Sequence, residues 1–139
     1  MNYKIIGKYI NKINFEISNP KIFFLLAENI TNYKINIDIK SKQFKEQIIE
    51  IETALSLIPS KEGFEKIDVK IIYSTIVELE NKINDKNKLE EIILIKVPSQ
   101  IYPDIRKIFI FLFEESGFKQ IKIDENVDFK KLYKLRKTQ

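Results

Sequence analysis

The sequence predicts an α+β domain, and three observations carry that expectation. Four segments in the first part of the chain alternate apolar and polar residues with the two-residue period of strands. After a polar stretch at residues 81–88 the period becomes helical. Strands first and helices afterwards is the order of an α+β fold. A length of 139 residues fits one core, and neither an internal repeat nor a linker divides the chain.

The first strand is expected over Ile10–Ile17, with Ile13, Phe15 and Ile17 on one side and Asn14 and Glu16 on the other. Ser18-Asn19-Pro20 breaks it, and an irregular apolar stretch, Ile22-Phe23-Phe24-Leu25-Leu26, follows. The clearest strand sets Tyr33, Ile35, Ile37 and Ile39 against Lys34, Asn36, Asp38 and Lys40. A third is expected after Ser41-Lys42-Gln43, with Ile49, Ile51, Thr53, Leu55 and Leu57 on one face. Pro59 to Gly63 reads as a turn. The fourth strand puts Ile67, Val69, Ile71, Tyr73, Thr75 and Val77 on one face; its other face mixes charge with Ile72 and Ile76. Four such neighbours favour an antiparallel sheet with one wetter side.

Leu89, Ile92, Ile93 and Lys96 share a face of a short helix that Pro98 is expected to stop. Ser99 to Tyr102 then bridges to a second helix, with Pro103 in its first turn and Gly117 at its close. A last short helix starts near Asp128, with Phe129, Leu132 and Tyr133 on one side. The helix from Pro103 carries a stripe of Ile105, Ile108, Phe109, Leu112 and Phe113, yet Ile110 and Phe111 add apolar area opposite. A helix apolar all round wants cover on all sides. One small sheet covers one side, so these seven residues are expected at a subunit interface.

Composition narrows the function. No Cys and no His removes thiol nucleophiles, zinc sites built on those ligands, and imidazole bases. Three glycines cannot write a phosphate loop. No catalytic residue, metal or cofactor is therefore expected. The longest apolar run, Ile108–Phe113, is six residues, against the roughly 20 that span a bilayer. The N-terminus breaks into charge before any leader-like stretch forms, so a cytoplasmic location is expected. The net charge of +4 comes almost wholly from Lys, with Arg only at 106 and 136. Lys, Ile and Asn share adenine- and thymine-rich codons, so codon drift accounts for the excess as well as phosphate contact does.

Taken in order, several segments resemble the SecB family of export chaperones. Leu89 to Arg106, through Val97-Pro98-Ser99-Gln100-Ile101-Tyr102-Pro103-Asp104, is similar to that family's first helix, its Pro-containing break and the start of its long helix. Gly117-Phe118 falls near that helix's end. Lys119-Gln120-Ile121-Lys122-Ile123 and Val127 to Tyr133 look like its closing segment. Tyr9 to Glu16 and Pro20 to Phe23 are similar to its first strand and the start of its crossover loop. The likeness spans nearly the whole chain in element order.

The resemblance implies a four-stranded antiparallel sheet with two main helices packed on one face, and a homotetramer built as a dimer of dimers. It implies unfolded polypeptide clients, bound in grooves with Ile22, Phe23, Phe24, Leu25 and Leu26 as one wall and Ile121, Phe129, Leu132 and Tyr133 as the other. It also implies a sheet face that docks the motor protein SecA, through positions such as Glu16, Asp68 and Lys70. That face departs from the family. Lys12 and Lys70 stand where acids are usual, and Asp68 where an apolar residue is usual. The crossover's customary Trp is missing, and the tail from Lys134 is short and basic.

Three readings stay open beside general export. One is a relative of the same fold dedicated to a narrower client, such as the antitoxin of a toxin–antitoxin pair. Another is a small basic nucleic-acid module, which the scarcity of Arg argues against. The third is a structural oligomer with no client.

Overall fold

A computed structural model describes residues 2–118, 121 and 123–137. Lys119, Gln120 and Lys122, quoted above, lie outside the described residues, as do Met1, Thr138 and Gln139 and the side chain of Lys137. Strands β1 (Tyr3–Glu16), β2 (Tyr33–Lys45), β3 (Ile48–Pro59) and β4 (Asp68–Leu79) form one antiparallel sheet in the order β1-β4-β3-β2. Helix α1 (Pro20–Asn29) and a short turn lie on the crossover that joins the two edge strands. Helices α2 (Lys86–Glu91), α3 (Val97–Glu115) and α4 (Phe129–Lys137) follow. The expected sheet and the α+β order are both present.

The alternation in β3 and β4 decides which face is covered. Ile51, Leu55, Leu57, Val69, Ile71 and Val77 are buried, and the register places them on one side of the sheet. Ile101, Ile105, Phe109 and Phe113 of α3 meet that side as an i, i+4 stripe, each buried to within 1 % of complete. Each such side chain stabilises the fold by roughly 1.5–3 kcal/mol. Ile105, Phe109 and Phe113 therefore belong to the chain's own core, which corrects their expected place at a subunit interface. Ile108, Ile110 and Leu112 are only half-buried and Phe111 is exposed, so the outer face of α3 is narrower than expected but still apolar.

Four local expectations are corrected as well. Residues 22–26 are helical, because Asn19 accepts a hydrogen bond from the Ile22 amide (3.0 Å) and Pro20 starts the first turn. The same Ser-Asn-Pro that ends β1 thus begins α1. The first strand starts at Tyr3 rather than Ile10. Ser41, Lys42 and Gln43 stay in the β2–β3 ladder, and the chain turns at Glu46-Gln47, where Gln47 takes a left-handed φ of 65°. Neither proline breaks the helix. The chain is helical without interruption from Lys86 to Glu115, with a π turn at Ile92–Lys96 just before Pro98 and with Pro103 inside α3.

The end of α3 is closed as expected. Gly117 has φ +93°; its amide reaches the Glu114 carbonyl, and the Phe118 amide reaches Phe113 at 2.9 Å. Phe118 packs its ring on Phe113, centroids 5.8 Å apart. This pair of bonds and the apolar contact beneath them form a Schellman closure.

Candidate functional site

Two adjoining hollows, of about 630 and 370 Å³, lie between edge strand β2 and helix α4. They share Ile39, Leu94, Tyr133 and Arg136 as walls. Ile37 and Ile39 stand on the helix side of β2, and no strand pairs with its outer edge among the described residues. Ile93 and Leu94 come from the π turn, whose Ile92 carbonyl accepts from the Val97 amide five residues on. An α-helical register would ask Leu94 to bond the nitrogen of Pro98, which has no hydrogen to give. The widened turn thus lies beside the groove.

Helix α4 supplies the second wall. Asp128 caps it, accepting from the Lys131 amide at 3.0 Å. Phe129 anchors it, 2 % exposed and edge-on to Tyr102 at 6.0 Å. The Tyr102 hydroxyl donates to the Asp124 carbonyl (2.7 Å) and Arg106 Nε to the Ile123 carbonyl (3.1 Å), tying down the segment that leads into α4. Burial pushes the Tyr102 hydroxyl above the ordinary phenol range. Tyr133 donates to Glu90 of α2 at 2.8 Å, which latches α4 to α2. Leu132 and Leu135, both exposed, line the upper part of the groove.

Of the residues expected to bind peptide, Phe129, Leu132 and Tyr133 line this groove together. Ile22 to Leu26 do not. Leu26 is fully buried, Phe23 stacks on Phe118 at 4.8 Å, and Phe24 is exposed on α1. Ile121 is half-buried and is not among the residues lining either hollow. The wall opposite α4 comes instead from Ile37 and Ile39, which sequence reasoning put on one strand face, with Ile93, put on a helix face, and Leu94, which was given no face. The alternation of β2 marks Ile37 and Ile39 as one strand face, but that β2 lies at an edge comes only from the strand order.

The open face of the sheet holds the residues expected to dock a partner. Glu16 stands directly opposite Asp68, and Lys70 lies next along β4 opposite Asn14. All three are exposed. Farther along, Lys42 pairs with Glu50 (3.5 Å) and Glu52 (3.4 Å), and Tyr9 donates to Glu50. The Tyr9 hydrogen bond, helped by Ser74 and Lys42, holds the Glu50 carboxyl below its ordinary range. The two carboxylates in turn raise Lys42. Charge on this face is partly neutralised within the face itself.

Among the described residues no group of acidic side chains could hold a metal, and no helix is long and apolar enough to cross a membrane. A sheet backed by helices, with an apolar groove at one edge, defines a class of α+β domain with surface suited to binding. Comparison with known proteins narrows that class. The family described as preprotein translocase subunit SecB matches residues 1–139. "Putative protein-export protein SecB" of Pelagibacter ubique (strain HTCC1062) is 41% identical over 135 residues, covering 97% of this chain and 96% of that one. Protein-export protein SecB of Anaplasma marginale (strain Florida) is 22% identical over 141 residues, covering 94% and 79%. In fold, the chain is similar to the Mycobacterium tuberculosis SecB-like chaperone Rv1957, solved with a ChAD peptide from the HigA1 antitoxin. That match has a TM-score of 0.62 and 9% identity, covering 88% of this chain and 90% of that one. The chain belongs to the SecB family. It is a SecB-like chaperone, and that family is not a class of enzymes.

Proposed function

We propose that the protein holds unfolded polypeptides, preproteins among them, in an extended and export-competent state for the Sec machinery of the cytoplasm. The observation that carries this reading is the apolar groove between β2 and α4. Apolar burial stabilises by about 25 cal/mol per Å² and has little directionality, so such a groove accepts many sequences. Phe24, exposed on α1, extends the apolar surface that a long client can touch. Binding of this kind needs no nucleotide and no catalysis.

The working form is a homotetramer, a dimer of dimers. Two surfaces support it. Strand β1 is a free edge with Ile6 (48% exposed), Ile10 (47%) and Ile13 (39%) uncovered, and the outer face of α3 presents Ile108, Ile110, Phe111 and Leu112. Linking several weak grooves in one assembly raises avidity by about 10²–10⁴ where one client spans them. The open sheet face, with Glu16, Asp68 and Lys70, is the docking surface for SecA. Suppression of aggregation of a denatured protein, without nucleotide, tests the holding activity; no suppression by a tetrameric preparation sinks it. Salt-sensitive capture of SecA tests the docking, and no capture at low salt removes it.

A second reading keeps the fold and narrows the client to an antitoxin-like segment. It is favoured by the lysines interspersed on the open face and by the antitoxin peptide held by the Rv1957 relative in fold. Capture of a single client from cells, with no suppression of general aggregation, distinguishes it.

A further inference from the structure

We infer that the groove prefers extended segments whose apolar residues are flanked by carboxylates; this rests on the groove being the client site. Its α4 wall reads Phe-Lys-Lys-Leu-Tyr-Lys-Leu-Arg-Lys, with no acid in nine residues. Arg136 borders both hollows, and Lys131 precedes Leu132, which borders one. Neither Arg136, Lys131 nor Lys134 pairs with a carboxylate among the described residues.

The acids near the groove do not balance this wall. Glu90 is engaged by the Tyr133 hydroxyl (2.8 Å) and by Lys86 (4.0 Å). On β2, Asp38 and Lys40 both border the groove and offset one another. A helix is about 10–12 Å across with its side chains, and the Debye length at physiological salt is about 8 Å. Cations on the groove side of α4, Arg136 first, therefore act most strongly on a chain lying in the groove, and those across the helix are partly screened. Carboxylates beside the apolar residues of a guest gain from that field, and lysines in the same places are repelled.

The test uses two labelled peptides with one apolar core, flanked at both ends by aspartates or by lysines, and a third with neutral flanks. Fluorescence anisotropy at low salt should find the aspartate peptide bound about tenfold more tightly than the lysine peptide, the sum of a few exposed ion pairs. The gap should close near 1 M salt. In a protein carrying Lys131→Glu and Lys134→Glu, neither of which lines the hollows, it should vanish or invert, with the neutral peptide bound as before. Equal binding of the two charged peptides, or tighter binding of the lysine one, overturns the preference and leaves the groove as client site. Failure of all three peptides to bind overturns both. Displacement of the aspartate peptide by a single-stranded oligonucleotide at equal concentration also overturns the preference, since α4 would then be a phosphate-binding element.

Discussion

The two edges of one sheet are finished in opposite ways. Along β2 the ladder to β3 runs without a shift until Gln43/Lys45, and the π turn and α4 rise beside it. Along β1 the register shifts twice, at Ile5/Gly7 and Ile10/Lys12. Ile10 and Ile13 pair with Tyr73 and Ile71 on the helix side, yet stay 47% and 39% exposed because the helix layer stops short of them. Helix α3 reaches the start of β1 through the Tyr3–Gln100 hydrogen bond (3.0 Å) and, farther along, at two more anchors, the Lys8–Asp104 ion pair (3.0 Å) and the Phe15–Phe113 contact (5.0 Å). Between them lies an uncovered apolar strip. A walled edge suits a single flexible chain, whereas a broad open edge suits another rigid surface.

That contrast breaks most sharply if the β1 edge and the outer face of α3 are made charged. Ile10→Glu with Phe111→Glu changes two exposed side chains, so the fold should persist by circular dichroism. Light scattering should report a mass near 16.5 kDa, and affinity for a long client should fall by about 10²-fold or more as avidity is lost. A tetramer that survives the double change would mean that copies meet elsewhere.

The groove should respond in the reverse sense. Leu94→Ala with Leu132→Ala removes apolar surface from both walls. Client binding measured by anisotropy should weaken about tenfold, from roughly 1–2 kcal/mol of lost burial, at unchanged mass. A smaller effect is expected from Tyr133→Phe, which deletes the donor to Glu90. Urea unfolding should register a loss of about 1 kcal/mol, and amide exchange in α4 should quicken.

The mildest test concerns the open face between the two edges. Glu50 is held below its ordinary value of 4.5, chiefly by the Tyr9 hydroxyl. Its contribution to stability is complete above that unfolded value and is lost as pH falls through the lower folded one. Glu50→Gln should therefore flatten the stability profile below about pH 4.5 and leave its shape above pH 6 alone, as read by thermal melts across the range. An unchanged acid limb would remove Glu50 from the account.

The regions differ also in how far the sequence reveals them. Strands β2, β3 and β4 are plain because Ile and Leu alternate with charge, and the sheet with helices behind it follows. Helix α1 is hidden because five consecutive apolar residues carry no period, and Asn19-Pro20 stops a strand as readily as it caps a helix. Pro98 and Pro103 mislead for a related reason. A proline closes a helix only when the lost donor has no substitute arrangement, and the π turn supplies one. The groove is the least legible feature. Its walls lie at residues 37–39, 93–94 and 129–136, and only the strand order β1-β4-β3-β2 sets β2 at an edge where they can meet.

The unbroken run from Lys86 to Glu115 has one more effect. It carries Leu94 beside the groove and Phe111 on the face turned away from the sheet. The groove wall and the outward apolar face are thus carried on one continuous piece of backbone rather than on separate elements.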